Sequence, residues 1–404
     1  KTSLPSKYYK FNTNFYTELT VDEKWNISNF VLKLLERRLL VEENNPLRLL
    51  KEAIANHFNS EYVKAGSPLY TICEKEPRAV TVWENFDSLL TPLDHVSRKP
   101  SDTYYINKNY CLRSHTTAHE NKLITQGLEC FLTFGDVYRR DEINRTHFPC
   151  FHQLEGVHLF SKSELFSSQH SSKNLFANGT RTQVHQETHS PEAAEKTLEK
   201  LCIYLFGPTI ETRWVDCYFP FTHPSFELEV FYEGKWMEVL GCGILEQKIL
   251  NNCKASDKVG FAFGLGLERL GMVLYGIPDI RLFWSRDSGF LSQFKGKSFN
   301  DRFKYAPISI HPQVYFDLSF WLPSNINPEV MIANTYDAIR SIGGSNVEQV
   351  KITDCFKSKK DNRLSQTFRI VYRSYTKALT KDECNLIHKK TEQYLAEKYH
   401  VQIR

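Results

Sequence analysis

Two runs of the chain concentrate residues able to act on a charged substrate. In residues 134–156, FGDVYRRDEINRTHFPCFHQLEG, Arg139 and Arg140 close one apolar run, and Gln153 and Glu155 stand in the next. An arginine at a strand end presents a planar fork matched to carboxylate or phosphate oxygens. Strand neighbours point to opposite faces, so only one of the two arginines can meet a ligand. Gln153 and Glu155 share a face, where an amide beside a carboxylate suits an ammonium group. One hairpin could therefore hold an acid or phosphate and an amine. A solvated hairpin with cross-strand ion pairs would explain the same residues.

The second run, residues 259–280, is VGFAFGLGLERLGMVLYGIPDI. It reads as a strand, a turn at Gly264-Leu265-Gly266, and a helix carrying Glu268 and Arg269. Glycines let a backbone approach a ligand, and helix starts favour anions. The third glycine of a dinucleotide fingerprint is missing. Arg269 is a candidate phosphate ligand, and a solvent-facing role fits it equally well.

Such residues need a scaffold. The chain has 404 residues, 41% of them hydrophobic, enough for two or three domains. No run approaches the ~18 apolar residues of a membrane span, so a soluble protein is expected. The first residue is Lys1, and any targeting segment lies outside the readable chain. The ten cysteines form no CxxC pair, which argues against a zinc site or a disulfide framework and for a reducing compartment. The sequons at Asn26, Asn144 and Asn178 are then chance matches. Residues 306–404 hold 14 Lys and Arg against 10 Asp and Glu, an excess equal to the net +4 of the whole chain. That hints at an acidic partner there, although a mixed charged surface explains it too.

A polar segment over residues 1–45 contains a helical stretch near 25–42, and Pro46 opens a second helix. Strand-like segments begin after Ser67. Residues 163–195, rich in Ser, His, Asn and Thr, read as a long surface loop. Strands return in IETRWVDCYFPF, FELEVFY and KWMEVLGCGI, and a polar link covers 291–305. Beyond it VYFDLSFW is a strand, and Asn327-Pro328 starts a helix stopped at Gly343-Gly344. Two more strands follow, then a helix opened by a Thr380/Glu383 capping box, then VQIR. This βαββαβ order is the ferredoxin-like pattern, and the whole is an α+β chain.

In combination, VYRRDEINRTHFPCFHQLEG, LRSHTTAH, YFPFTHPSFELEV, EVLGCGI and GFAFGLGLERL resemble the phenylalanyl-tRNA synthetases of class II. The resemblance spans residues 85–294 and resumes in a C-terminal part similar to a ferredoxin-fold anticodon-binding domain. It implies an antiparallel-sheet catalytic domain over 46–290, a linker over 291–305 and an anticodon domain over 306–404. Core and anticodon domain in one short chain is the mitochondrial, single-chain form. That implies a monomer without a second subunit type, working on tRNA(Phe) in the mitochondrial matrix.

The resemblance also implies roles. Arg139 would bridge the ATP α-phosphate and the amino-acid carboxylate. Phe151 would stack on adenine, with Arg269 over the other face and reaching the γ-phosphate. His147 would lie near the phosphates, Asp141 near the adenine amino group, and Phe263 in the adenine pocket. Gly264 and Gly266 would let backbone approach, and Glu238 would meet Mg2+ or the nucleotide. Gln153 and Glu155, with His115 and Thr117, would hold the phenylalanine ammonium. Ala118, His119 and Glu120 would continue that wall, with Leu154 and Ala262, and Phe219 and Phe221 would clamp the ring.

The family commonly has Ser at 117 and Gln at 120, where Thr and Glu stand here, and proline where Val96 stands. The implied chemistry is formation of phenylalanyl-adenylate, then transfer to the 2′-hydroxyl of the terminal adenosine. Core, linker and anticodon domain take up the chain, so no editing domain and some tyrosine misacylation are expected. Lys357, Lys359, Lys360, Arg363, Arg369 and Arg373 are the expected tRNA contacts as a group; for any one of them taken singly, a soluble basic turn is the better reading. Relatives that keep this fold as regulatory or RNA-binding proteins tend to lose the arginines corresponding to Arg139 and Arg269.

Overall fold

The computed structural model describes residues 9–10, 18–161, 190–307, 311–359, 362–374 and 376–404. Most of the expected surface loop, with Asn178, and the expected tRNA contact Lys360 lie outside the described residues. From Ser190 the loop reading is replaced by a helix.

The elements that build the core are α1 (Pro46–Glu61), β1 (Thr71–Cys73), α2 (Glu120–Thr125), β2 (Cys130–Tyr138), β3 (Cys150–Phe160) and α3 (Ser190–Phe206). They continue with β4 (Glu211–Phe219), β5 (Thr222–Tyr232), β6 (Lys235–Leu245), α4 (Gln247–Asn252), β7 (Val259–Gly266) and α5 (Leu267–Tyr275). The strands make one sheet in the order β4-β5-β6-β7-β3-β2-β1. Only the β1–β2 pair is parallel.

Alternation assigns its two faces. Leu154, Phe263 and Leu265 turn toward α1, whose Leu47, Leu50, Ile54 and Phe58 recur at helical spacing and are buried. Asn45 caps that helix by accepting from the Leu47 amide at 3.0 Å, with Pro46 in the first position. The Phe263 ring stacks on Phe58 at 5.7 Å and fills the space above Gly156, where a Cβ would lie 2.2 Å from that ring. The other face carries Gln153, Glu155, Val157, Ala262 and Gly264. Its lower half is sealed by Leu123 and Ile124 of α2 and Ile249 and Leu250 of α4. Its upper half stays open.

Two further expectations change. The stretch expected as helix over 25–42 forms a helix only at Asn29–Leu34. The Arg78 guanidinium takes the carbonyls of Leu35 and Arg37, oxygens that a continuing helix would need. The segment read as a polar link is also no tether, since Phe294, Phe299 and Tyr305 are buried in the main core. Its aromatic residues, not its polar majority, decide where it lies.

The C-terminal part runs β8 (Val314–Trp321), α6 (Pro328–Gly343), β9 (Val347–Lys357), β10 (Leu364–Tyr372), α7 (Lys381–Tyr399), β11 (Gln402–Ile403). It forms an antiparallel sheet of order β9-β10-β8-β11, the expected βαββαβ arrangement. The Thr380/Glu383 box and the Asn327-Pro328 start are both present. This domain packs on the loop between β2 and β3. The Val350 amide donates to the Ile143 carbonyl at 2.8 Å, and Arg145 pairs with Glu348 at 2.6 Å. Among the described residues, no helix is long and apolar enough to cross a membrane.

Candidate active site

The open half of the sheet is the floor of a cavity of ≈ 600 Å³. Its lining includes His115, Thr117, Arg139, Asp141, Gln153, Glu155, Phe219, Phe221, Glu238, Ala262 and Gly264. Residues from six separated segments meet here, and the register sets Glu155 opposite Gly264 on one side and Thr133 on the other.

At one end Gln153 and Glu155 stand together as their spacing requires. The Thr116 hydroxyl donates to Glu155 Oε2 at 3.2 Å, and the Thr116 amide to Gln153 Oε1 at 3.3 Å. Burial lifts the Glu155 carboxyl to about 7, against the lowering effect of its Thr117, Glu120 and Thr116 hydrogen bonds. Burial, and then the Arg139 charge, hold His115 down at about 3, so the imidazole is neutral. Phe219 and Phe221 form the wall, their rings parallel to within 8° at 5.8 Å. The Phe219 ring lies where a Cβ on Gly241 would be, at 2.7 Å, so that glycine gives the ring its place. At Gly264 a Cβ would meet no protein atom closer than 3.8 Å, so the missing side chain leaves room for a ligand.

Arg139 lies between these ends. Its Nε donates to the Ser114 carbonyl at 2.8 Å, and its guanidinium lies 5.0 Å from the Phe151 ring centroid. Its side chain stays exposed to the cavity although protein rings it. Arg140 turns to the C-terminal domain, its Nη2 2.7 Å from Asp337 Oδ2 and 2.8 Å from Asn334 Oδ1. The two arginines thus take different partners, as their adjacent positions require. At the mouth, Arg269 Nη1 pairs with Glu238 Oε2 at 3.3 Å. Gly266 caps α5 beside it, and a Cβ there would meet open space.

Several expected contacts lie elsewhere. The side chains of Leu154 and Phe263 are buried on the α1 face, and of these two residues Phe263 still borders the cavity. Ala118 packs with Val80, Phe86 and Cys111. His119 is buried behind the wall against Arg113 at 3.0 Å, and Glu120 is buried behind Glu155. The His147 ring turns to Asn144 Oδ1 at 2.8 Å. In the C-terminal domain Lys357, Lys359 and Arg363 are exposed on the β9–β10 turn. Arg369 is held by Asp317 at 2.7 Å. Arg373 leaves this group, pairing at 3.5 Å with the buried Glu348 at the domain junction.

Sequence reasoning missed the residues that hold the site rigid. Asp136 accepts from Arg78 at 2.6 Å, Arg113 at 2.8 Å and the Tyr138 hydroxyl at 2.7 Å. Burial opposes its charge, but the two guanidiniums hold it down at about 2. This hub ties the segment carrying Ser114 and His115 to β2. Glu268 takes the His152 amide and Nδ1, both at 2.7 Å, and so fixes the start of α5 to β3. A charge inside the apolar run FLTFGDVY was the available signal for the first. Nothing local marks the second.

The class II tRNA synthetase core domain (F) model matches residues 42–178 and 182–294, and the ferredoxin-fold anticodon binding domain model matches 309–404. A mitochondrial phenylalanine–tRNA ligase of Mus musculus is 47% identical over 382 residues, covering 92% of this chain and 84% of that protein. A probable mitochondrial one of Drosophila melanogaster is 44% identical, covering 94% and 89%. A chloroplastic/mitochondrial one of Arabidopsis thaliana is 42% identical, covering 94% and 82%. A class II core followed by an anticodon-binding domain, matched over most of the chain by these relatives, settles the family: the chain belongs to the phenylalanyl-tRNA synthetases.

Proposed function

We infer that this chain is a phenylalanine–tRNA ligase working in mitochondria, as a single chain on tRNA(Phe). The observation that carries the reading is the convergence on one cavity of Gln153 and Glu155, suited to an ammonium, Phe219 and Phe221, suited to a ring, and Arg139, suited to a carboxylate. Phenylalanine would lie with its ammonium on Gln153 and Glu155 and its ring against Phe219 and Phe221. Its carboxylate, directed to Arg139, attacks the α-phosphorus of ATP, and pyrophosphate leaves.

Arg139 faces the negative charge that gathers in that step, fixed beforehand by Ser114 and Phe151. Adenine would stack on Phe151, with Asp141 at its edge and Arg269 closing over it once drawn from Glu238. Mg2+ usually takes one or two carboxylates and completes its shell with phosphate and water oxygens. Glu238 at the mouth fits that demand, and the ion would supply charge neutralisation at the phosphates. Positioning and fixed charge carry the rate, without a strong general base. The 2′-hydroxyl of the terminal adenosine then takes the acyl group, while Lys357, Lys359 and Arg363 contribute to tRNA binding.

ATP–pyrophosphate exchange on the purified chain tests this. Exchange that depends on phenylalanine is expected, with tyrosine discriminated by only about 10², the limit of an apolar pocket facing an added hydroxyl. Folded protein giving no exchange with phenylalanine would overturn the assignment and leave an RNA-binding protein of the same fold.

A further inference from the structure

Glu120 and Glu155 place two carboxyl groups together in the interior. Glu120 opens α2 and is 1% exposed; Glu155 comes from β3 and is 5% exposed. The two carboxyls are within hydrogen-bonding contact. Among the described residues, no donor reaches either Glu120 oxygen. Glu155 has the Thr116 and Thr117 hydroxyls, and its far side opens on the cavity where Gln153 also points.

Two ionised carboxylates cannot be held this way. Ionised groups are acceptors only, so each would lack the donor that its neighbour fails to supply, and their charges would repel in a poorly hydrated place. One proton between them supplies the donor and removes one charge. We propose that Glu120 and Glu155 share a proton beneath the ammonium end of the phenylalanine site, and that the substrate ammonium displaces it into the cavity water. Glu120 is thus a positioning residue that makes amino-acid binding compete with protons. This rests on the ammonium site assigned above.

The surroundings leave the pair as the group that titrates. From the segment before α2 come His115, which burial and Arg139 hold at about 3, and His119, which burial and Arg113 hold well below its ordinary range. The end of α4 brings Cys253, which burial and the Glu120 charge push up to about 11. β3 brings Gln153, which carries no titrating proton. Burial lifts Glu120 well above the carboxylate range, and the Glu155 charge adds to this. The empty pair therefore keeps its proton at neutral pH, and the bound pair, beside a cation, does not.

The experiment is calorimetry of phenylalanine binding to the full chain in buffers of different ionisation enthalpy, which counts protons released. About one per phenylalanine is expected near neutral pH, and about none for Glu120→Gln, whose amide donates to Glu155. In pyrophosphate exchange from about pH 6 to 8, the wild-type KM for phenylalanine should fall as pH rises, approaching tenfold per unit, at steady kcat. Glu120→Gln should flatten that profile. Wild type that releases no proton, or Glu120→Gln with the wild-type slope, overturns the proposal. Glu155→Gln separates the two failures. If it loses phenylalanine affinity while wild type releases no proton, only the shared proton is wrong; if it binds phenylalanine normally, the ammonium site itself is misassigned.

Discussion

Replacing Asp337 by Asn should loosen the C-terminal domain from the catalytic core. Arg140, one residue beyond the arginine of the cavity, is 7% exposed, and Asp337 is 5% exposed. Asp337 receives Arg140 Nε at 3.0 Å and Nη2 at 2.7 Å on one oxygen and the Tyr104 hydroxyl at 2.9 Å on the other. Asparagine keeps the shape and one acceptor but removes the charge, leaving a guanidinium in the interior opposite a neutral amide. Breaking a buried pair from one side costs about 3–5 kcal/mol. The retained acceptor places this case at the lower end. Undocking limits the cost, because a released domain lets Arg140 regain water. Urea unfolding of the full chain should show a loss of about 3 kcal/mol, with an early transition as the domain leaves. The double variant Arg140→Met with Asp337→Leu should regain most of it, since an apolar pair carries no unpaired charge. A change within about 0.5 kcal/mol for Asp337→Asn, as for a surface substitution, would refute the argument.

Arg139→Ala should lower kcat/KM in phenylalanine-dependent exchange by about 10²–10³, the loss seen when one fixed donor to developing charge is removed, with unfolding unchanged. A loss under tenfold would move the charge-stabilising role to another residue. Gly264→Ala and Gly156→Ala should separate function from packing. The first projects into open cavity and should raise the phenylalanine KM at nearly constant stability, while the second drives a Cβ to 2.2 Å from the Phe263 ring and should cost about 1–3 kcal/mol or more. Equal stabilities would refute the assignment of sheet faces. Asp136 is held below the ordinary carboxylate range, so its contribution is present above about pH 4 and is lost as pH falls through about 2. A shift from 3.8 to about 2 amounts to roughly 2 kcal/mol, and an Asp136→Asn variant with an unchanged acid-unfolding profile would contradict it.

Short-range rules were sufficient wherever an interaction spans a few residues. The Asn45-Pro46 and Asn327-Pro328 starts, the Thr380/Glu383 box and the βαββαβ order are local, because caps and strand alternation depend on neighbours in the chain. The shared face of Gln153 and Glu155 follows from the same two-residue period, as does the separation of Arg139 from Arg140. A period says which side chains go together but not which face opens on a cavity. Only the packing of α1 on one face of the sheet put Phe263 and Leu154 in the core and left Gly264 beside the ligand space. Partners far apart in the chain were also beyond local reading. Arg140 meets Asp337, Arg373 meets Glu348, and Glu120 meets Glu155 because elements distant in sequence close on one another, and the Asp136 hub draws on three segments. Charge type shows that a residue needs a partner, since an unpaired charge cannot be buried cheaply. Tertiary structure alone decides which partner it finds, and here that choice makes Arg140 a bond between domains and Glu120 a proton store beneath the site.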